Sequence, residues 1–115
     1  MDDLSIVTFY RIAKLFPPSA EEYRTKRQKD GSPPPNAKIE VIRAYDGLSA
    51  FDSEAGAMRQ GIRFPALGTK VVRYHLPVNG EISWGQSFRA GHYTLAGELD
   101  SLAEYLDMEF VVEIH

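Results

Sequence analysis

Residues 69–88 read TKVVRYHLPVNGEISWGQSF and contain the clearest strand pattern of the chain. Apolar and polar side chains alternate over residues 69–76, as they do in a strand with one buried face. The turn that follows contains Asn79-Gly80, a dipeptide typical of tight hairpins. We therefore expect residues 82–88 to return antiparallel to residues 69–76, which favours an antiparallel sheet.

The sequence on either side mixes helix and strand patterns. The predicted helices are residues 20–29, 53–60 and 99–106, and the other predicted strands are residues 4–12, 38–45 and 110–114. Residues 38–45 also have near-helical spacing, but their β-branched content favours an extended segment. Residues 89–97 are predicted to form an irregular loop or a short strand. This order lacks a regular βαβ alternation, so we expect a single α+β domain with a mostly antiparallel sheet and about three short helices.

Two of these helices begin with a recognisable cap. Ser19 and Glu22 match the capping-box spacing, in which each side chain satisfies a backbone amide of the other residue. Ser53, or Asp52 one residue earlier, can accept a hydrogen bond from the first turn of the second helix, and Gly61 is predicted to end that helix.

Composition excludes several classes of protein. The chain has 115 residues, of which 43% are hydrophobic and 25% charged, and it has no cysteine, so neither a disulfide framework nor a thiolate metal site can form. No apolar stretch approaches the ~20 residues that span a bilayer, and the N-terminus lacks the pattern of a secretory signal. We expect no membrane association and a cytoplasmic location.

Charge and motif content argue against nucleic-acid and metal binding. A formal net charge of −3 gives no general attraction to phosphate backbones, although four basic residues cluster within residues 24–29. His75, His92 and His115 lack the spacing of a metal site, so no metal is expected. Phosphate-binding loops and nucleophile elbows are absent from the sequence.

Two segments are the candidate binding residues. Residues 43–57, RAYDGLSAFDSEAGA, place charged, aromatic and hydroxyl groups before a helix start, and Gly91 precedes the consecutive pair His92 and Tyr93. Because both segments are glycine-bordered loops, we predict that Arg43, Ser49, His92 and Tyr93 converge on one concavity as ligand-binding residues.

The same segments resemble a family of small bacterial proteins without assigned activity. The resemblance rests on Tyr10-Arg11, Pro17-Pro18, residues 43–57, Leu67-Gly68 and the GHYTLAG run at residues 91–97. It spans nearly the whole chain and implies a fold without implying a chemistry.

A weaker resemblance is to ADP-ribosyltransferase-like domains. Arg11, Ser49 and either Glu109 or Glu113 occur in the order in which that family presents its arginine, serine and late glutamate. The resemblance implies NAD as cofactor and these four residues as catalytic. It also requires Arg11 and one glutamate to face the same cleft, and strand parity predicts that Glu109 and Glu113 share a face. The Ser-Thr-Ser triplet and the Glu-x-Glu pair of that family are absent.

No catalytic set is visible otherwise, so we predict a non-enzymatic interaction or regulatory domain that needs no cofactor. Its expected partner is an unidentified protein or small molecule, and its strands allow self-association into a homo-oligomer. The alternative is an NAD-dependent enzyme of the ADP-ribosyltransferase type.

Overall fold

The computed structural model describes residues 6–78, 80–88, 90–99, 102 and 108–114. Its strands are β1 (Ile6–Ala13), β2 (Leu48–Phe51), β3 (Lys70–Pro77), β4 (Ile82–Gln86), β5 (His92–Gly97) and β6 (Glu109–Glu113). Its helices are α1 (Lys26–Asp30), α2 (Ile39–Tyr45) and α3 (Glu54–Arg63), with short 3-10 helices at Ala20–Tyr23 and Pro65–Leu67. The six strands form one sheet in the order β4-β5-β2-β1-β3-β6, and every pairing is antiparallel. The predicted α+β class with an antiparallel sheet is confirmed.

The pairing predicted for residues 82–88 is wrong. β3 pairs with β1 along its whole length on one side, and residues 70–73 of β3 pair with β6 on the other. β4 pairs instead with β5, at the far end of the sheet. The hairpin signal at Asn79-Gly80 therefore marks a chain reversal between strands that are not neighbours; Asn79 itself lies outside the described residues.

The sheet carries a hydrophobic core on each face. Alternation along β1 and β3 sends Phe9, Val72 and Tyr74 to the larger core, together with Leu95 of β5. Phe51 and Val71 lie on the opposite face, where Ala57 of α3 packs against them. The predicted strand at residues 69–76 is confirmed in both extent and alternation.

Residues 39–45 form a helix, so the extended segment predicted for residues 38–45 is wrong. Along α2 the side chains follow a helical pattern of exposure, with Glu40 and Arg43 exposed and Val41 and Ala44 half-buried. The β-branched residues favour a strand only weakly, and packing against the rest of the domain outweighs that preference.

The predicted helix at residues 20–29 is interrupted. The 3-10 helix ends at Tyr23, whose buried side chain is anchored on the sheet, and the backbone of Arg24 and Thr25 is extended. Thr25 then starts α1 with a cap of its own, because its hydroxyl accepts from the Gln28 amide and the Gln28 side chain accepts from the Thr25 amide at 2.7 Å.

Of the two candidate caps, Ser53 is the one that the structure confirms, but Gly61 does not end the helix. Ser53 accepts a hydrogen bond from the Gly56 amide at 3.0 Å, and α3 continues to Arg63. A Cβ atom on Gly61 would lie 2.3 Å from Ile114 Cδ1, so this glycine allows the helix to approach the sheet.

The remaining predicted elements have mixed outcomes. The first and last strands are confirmed as β1 and β6, and residues 92–97 adopt the strand alternative as β5. The predicted helix at residues 99–106 lies mostly outside the described residues, of which Leu99 and Leu102 are buried in the larger core. Within the described part of the chain, no helix combines the length and the apolar character needed to cross a membrane.

Candidate functional site

A cleft opens in the middle of the sheet because two central strands separate. β1 pairs with β2 at the single position Tyr10–Phe51, although both strands continue beyond it. The resulting β1–β2 cleft has a volume of about 450 Å³, within the range of small-molecule sites. Its lining residues are Arg11, Ile12, Lys14, Leu15, Ser19, Glu21, Glu22, Lys29, Ser49, Phe51, Gln60, Ala66 and Leu67.

Arg11 spans this cleft. Its Nε donates to the Ser49 carbonyl at 3.0 Å and its Nη2 to the Glu22 carbonyl at 3.4 Å, while its guanidinium carbon lies 5.8 Å from the centre of the Tyr23 ring. A guanidinium has more N–H donors than these contacts use. No carboxylate among the described residues forms an ion pair with it. Arg11 can therefore still bind an anionic group.

The 3-10 helix Ala20–Tyr23 forms one wall of the cleft and is held by exposed hydrogen bonds to Glu22 and by a buried one to Tyr23. The Glu22 carboxylate accepts from the backbone amides of Lys14 at 2.5 Å and Ser19 at 3.2 Å. The hydroxyls of Tyr23 and Tyr74 lie 2.7 Å apart in the core. Burial raises the pKa of both phenols, so both stay neutral at physiological pH.

The lining charges do not balance. Glu21 is paired with Arg24 at 3.0 Å, and Glu22 is bound by backbone amides. By contrast Arg11, Lys14 and Lys29 form no ion pair within the described part of the chain. Backbone amides leave the charge of Glu22 in place, but three basic lining residues outnumber the two acidic ones, so the cleft carries a net positive charge.

The basic cluster seen in the sequence separates into two roles. Arg24, Lys26 and Arg27 pair with acidic neighbours, and the bond from Arg27 lowers the pKa of the Asp46 carboxyl. Lys29 instead lines the cleft. This division leaves little of the cluster as a continuous basic surface.

The structure does not bring the four predicted ligand-binding residues together. Ser49 lines the β1–β2 cleft, but Arg43 is exposed on α2 and lines neither that cleft nor the second one described below. Tyr93 packs in the larger core with its ring 5.2 Å from that of Phe9. The predicted shared concavity is wrong, because His92 and Tyr93 are consecutive in a strand and face opposite sides of the sheet.

His92 is a buried packing residue in this arrangement. It is 6% exposed, its Nδ1 donates to the Ser87 carbonyl at 3.1 Å, and its ring lies edge-on to Phe51 at 5.2 Å. Although it shares a sheet face with Ser49, it does not line the β1–β2 cleft.

A second, smaller cleft of about 350 Å³ lies at the start of α3. Ser53 and Gly56 line it together with Arg59 and Arg63 one and two turns along the helix. Asp52 also lines it, so its charges are mixed. The Ser53 hydroxyl already caps the first helical turn.

Of the residues implied by the transferase resemblance, Arg11 and Ser49 meet in the β1–β2 cleft but the glutamates do not. Glu109 binds Arg73 at 3.1 Å and His75 at 2.8 Å, near the outer edge of the sheet. Glu113 binds Lys70 and Thr69. The requirement that Arg11 and a late glutamate face one cleft is therefore not met.

The prediction that Glu109 and Glu113 share a face is also wrong. A bulge shifts the register between Val71 and Val72, so Glu109 stands opposite Arg73 and Glu113 opposite Lys70. Arg73 and Lys70 are three residues apart on β3 and face opposite sides of the sheet.

The Glu109 contacts predict a pH dependence of stability. Hydrogen bonds from Arg73 and then from His75 lower the pKa of the Glu109 carboxyl. Its native pKa is thus below the unfolded value of about 4.3. The ionised Glu109 carboxylate therefore stabilises the folded state. This stabilisation is complete above the unfolded pKa and is lost as the pH falls through the native pKa.

We expect Glu109→Gln to be less stable than wild type at pH 7 in urea unfolding, with the difference narrowing towards pH 3. The matched control is Glu81→Gln, which removes an exposed carboxylate without a partner among the described residues. Equal pH profiles for the two variants would contradict this assignment.

Most residues that line the cleft are absent from the sequence-based predictions. The missed residues come from several elements. Lys14 and Leu15 follow β1, and Lys29 lies in α1. Gln60 lies in α3, and Leu67 lies in the second 3-10 helix. The transferase resemblance named Arg11 and Ser49. The capping box named Ser19 and Glu22, but it marks a helix start and gives no indication of a cleft.

Comparison with protein-family models, curated proteins and solved structures gives no match for this chain.

Proposed function

We propose that this chain is a non-enzymatic interaction domain that binds an anionic ligand in the β1–β2 cleft. The observation that carries the proposal is the charge of the cleft, where Arg11, Lys14 and Lys29 have no acidic partner among the described residues. Because the acidic lining groups are already bound, an incoming carboxylate or phosphate gains attraction without displacing an ion pair from these cations.

The same residues favour binding over catalysis. A transferase needs a carboxylate near the reacting ribose, and the acidic lining residues Glu21 and Glu22 are engaged by Arg24 and by backbone amides. Arg11 and Ser49 supply hydrogen-bonding groups for recognition, without a paired nucleophile and base.

The test is a titration of the ¹⁵N-labelled protein with inorganic phosphate, citrate and NAD, followed by amide chemical shifts. We expect shifts concentrated at Ser49 and the other lining residues. The double variant Lys14→Gln/Lys29→Gln should weaken binding by about twofold to thirtyfold, since exposed ion pairs contribute roughly 0.2–1 kcal/mol each. The control Lys38→Gln removes an exposed lysine outside the cleft.

Two outcomes would overturn the proposal. One is a set of shifts scattered over the surface, with equal loss of affinity in the lysine control. The other is turnover of NAD by the pure protein, which would favour the transferase alternative.

A further inference from the structure

The interrupted ladder between β1 and β2 leaves strand backbone facing the β1–β2 cleft. The one paired position, Tyr10–Phe51, fixes the register, in which Ile12 would stand opposite Ser49. Asp52 donates its backbone amide to the Gly91 carbonyl, towards β5. Since backbone groups alternate in direction along a strand, those of Ser49 point towards β1.

A side chain replaces the missing strand partner at this position. The Ser49 carbonyl accepts from Arg11 Nε at 3.0 Å, where an unbroken ladder would supply the amide of Ile12. The Arg11 side chain thus occupies the Ser49 carbonyl in place of a neighbouring strand. A backbone amide of another strand can replace Arg11 there without unfolding β1 or β2.

An exposed apolar patch adjoins the same cleft. Leu15 and Leu67 line the cleft and are 56% and 46% exposed. A small inorganic anion would leave these two side chains without a role, whereas a longer ligand could cover them.

We propose that the ligand of the β1–β2 cleft is an extended acidic peptide that adds its backbone to Ser49 as a strand. This inference rests on the proposed function, because it assigns a ligand class to the same cleft. In strand addition the backbone hydrogen bonds supply affinity and alternate side chains supply specificity. An acidic side chain would meet Arg11, Lys14 and Lys29, and apolar side chains would pack on Leu15 and Leu67.

The test begins with selection of binders from a display library of random octapeptides on the immobilised protein. We expect the selected peptides to share an acidic residue with β-branched or other apolar neighbours. The backbone amides of the best binder are then methylated one at a time. Strand addition predicts a loss of about threefold to tenfold at the one peptide amide that donates to the Ser49 carbonyl, because Phe51, the next residue of β2 that faces the same way, is already paired with Tyr10.

Matched protein variants distinguish the apolar contribution. Leu15→Ser and Leu67→Ser should each weaken peptide binding by about fivefold and should weaken phosphate binding by a smaller factor, because phosphate has no apolar part that packs on these side chains. Val78→Ser, which removes an exposed apolar side chain elsewhere, should change neither.

The outcomes separate this inference from the proposed function. If phosphate shifts the cleft resonances but no octapeptide is selected, or if methylation of no single amide weakens binding more than methylation of its neighbours, peptide addition is overturned while the anion-binding cleft stands. If neither phosphate nor any octapeptide shifts those resonances, both proposals fail.

Discussion

Replacing Gly68 by alanine is expected to lower the free energy of unfolding by about 2–6 kcal/mol, the sum of backbone strain and steric overlap. Gly68 has φ +132° and ψ 178°, a conformation open to glycine almost alone. A Cβ atom there would lie 2.3 Å from the Ala13 carbonyl oxygen and 2.9 Å from the Lys14 amide nitrogen. Both are backbone atoms, so relief requires a shift of β1 or of the 3-10 helix Pro65–Leu67.

A matched control separates strain from overlap. Gly31 has φ 88° and ψ −154°, in the same glycine region, but a Cβ there meets nothing within 4 Å. Gly31→Ala should therefore cost only the strain of about 1–3 kcal/mol. Gly85→Ala, with open space and no positive φ, should stay within about 0.5 kcal/mol of wild type. If Gly68→Ala and Gly31→Ala lose the same free energy of unfolding in denaturant, the steric overlap at Gly68 is contradicted.

The same substitution should weaken ligand binding. Gly68 ends the 3-10 helix that carries Ala66 and Leu67 into the β1–β2 cleft, and it packs beside Ala13 where β1 leaves the sheet. Displacement of that helix moves one wall of the cleft relative to Arg11. We expect lower phosphate affinity at temperatures where the variant is still folded.

Local signals in the sequence predicted much of the fold, because they act over a few residues. Alternation identified β3, and the short side chain of Ser53 identified the start of α3. Strand partners depend on long-range contacts, so Asn79-Gly80 gave the wrong neighbour for β4. Gly61 was wrongly predicted to end a helix for the same reason. A glycine is needed there because Ile114, which is distant in sequence, packs against it.

The candidate site was less predictable than the fold. Arg11 and Ser49 meet only because β1 and β2 separate after Tyr10. No local sequence pattern predicts where the pairing of two strands ends. His92 and Tyr93 attracted attention as polar aromatic residues beside a glycine. Their position in β5 instead divides them between the two faces of the sheet.

The second large effect concerns the buried pair of hydroxyls that anchors the wall of the cleft. Tyr23 and Tyr74 are 2% and 0% exposed, and their hydroxyls share a 2.7 Å hydrogen bond. Either Tyr23→Phe or Tyr74→Phe leaves the other hydroxyl buried without this partner, which should cost about 1–3 kcal/mol. The 3-10 helix that bears Glu21 and Glu22 should then dock less firmly, and phosphate binding should weaken.

A double-mutant cycle tests the origin of that cost. Tyr23→Phe/Tyr74→Phe removes both hydroxyls and leaves two rings of nearly the same shape, so its stability should lie closer to wild type than the sum of the single losses. Tyr45→Phe, whose ring is half-buried beside Lys26, is the control and should change stability by no more than about 0.5 kcal/mol. Strictly additive losses in urea unfolding would show that the hydroxyls act independently. Recovery of phosphate affinity in the double variant would establish that the docking of this wall, and not the hydroxyls themselves, shapes the cleft.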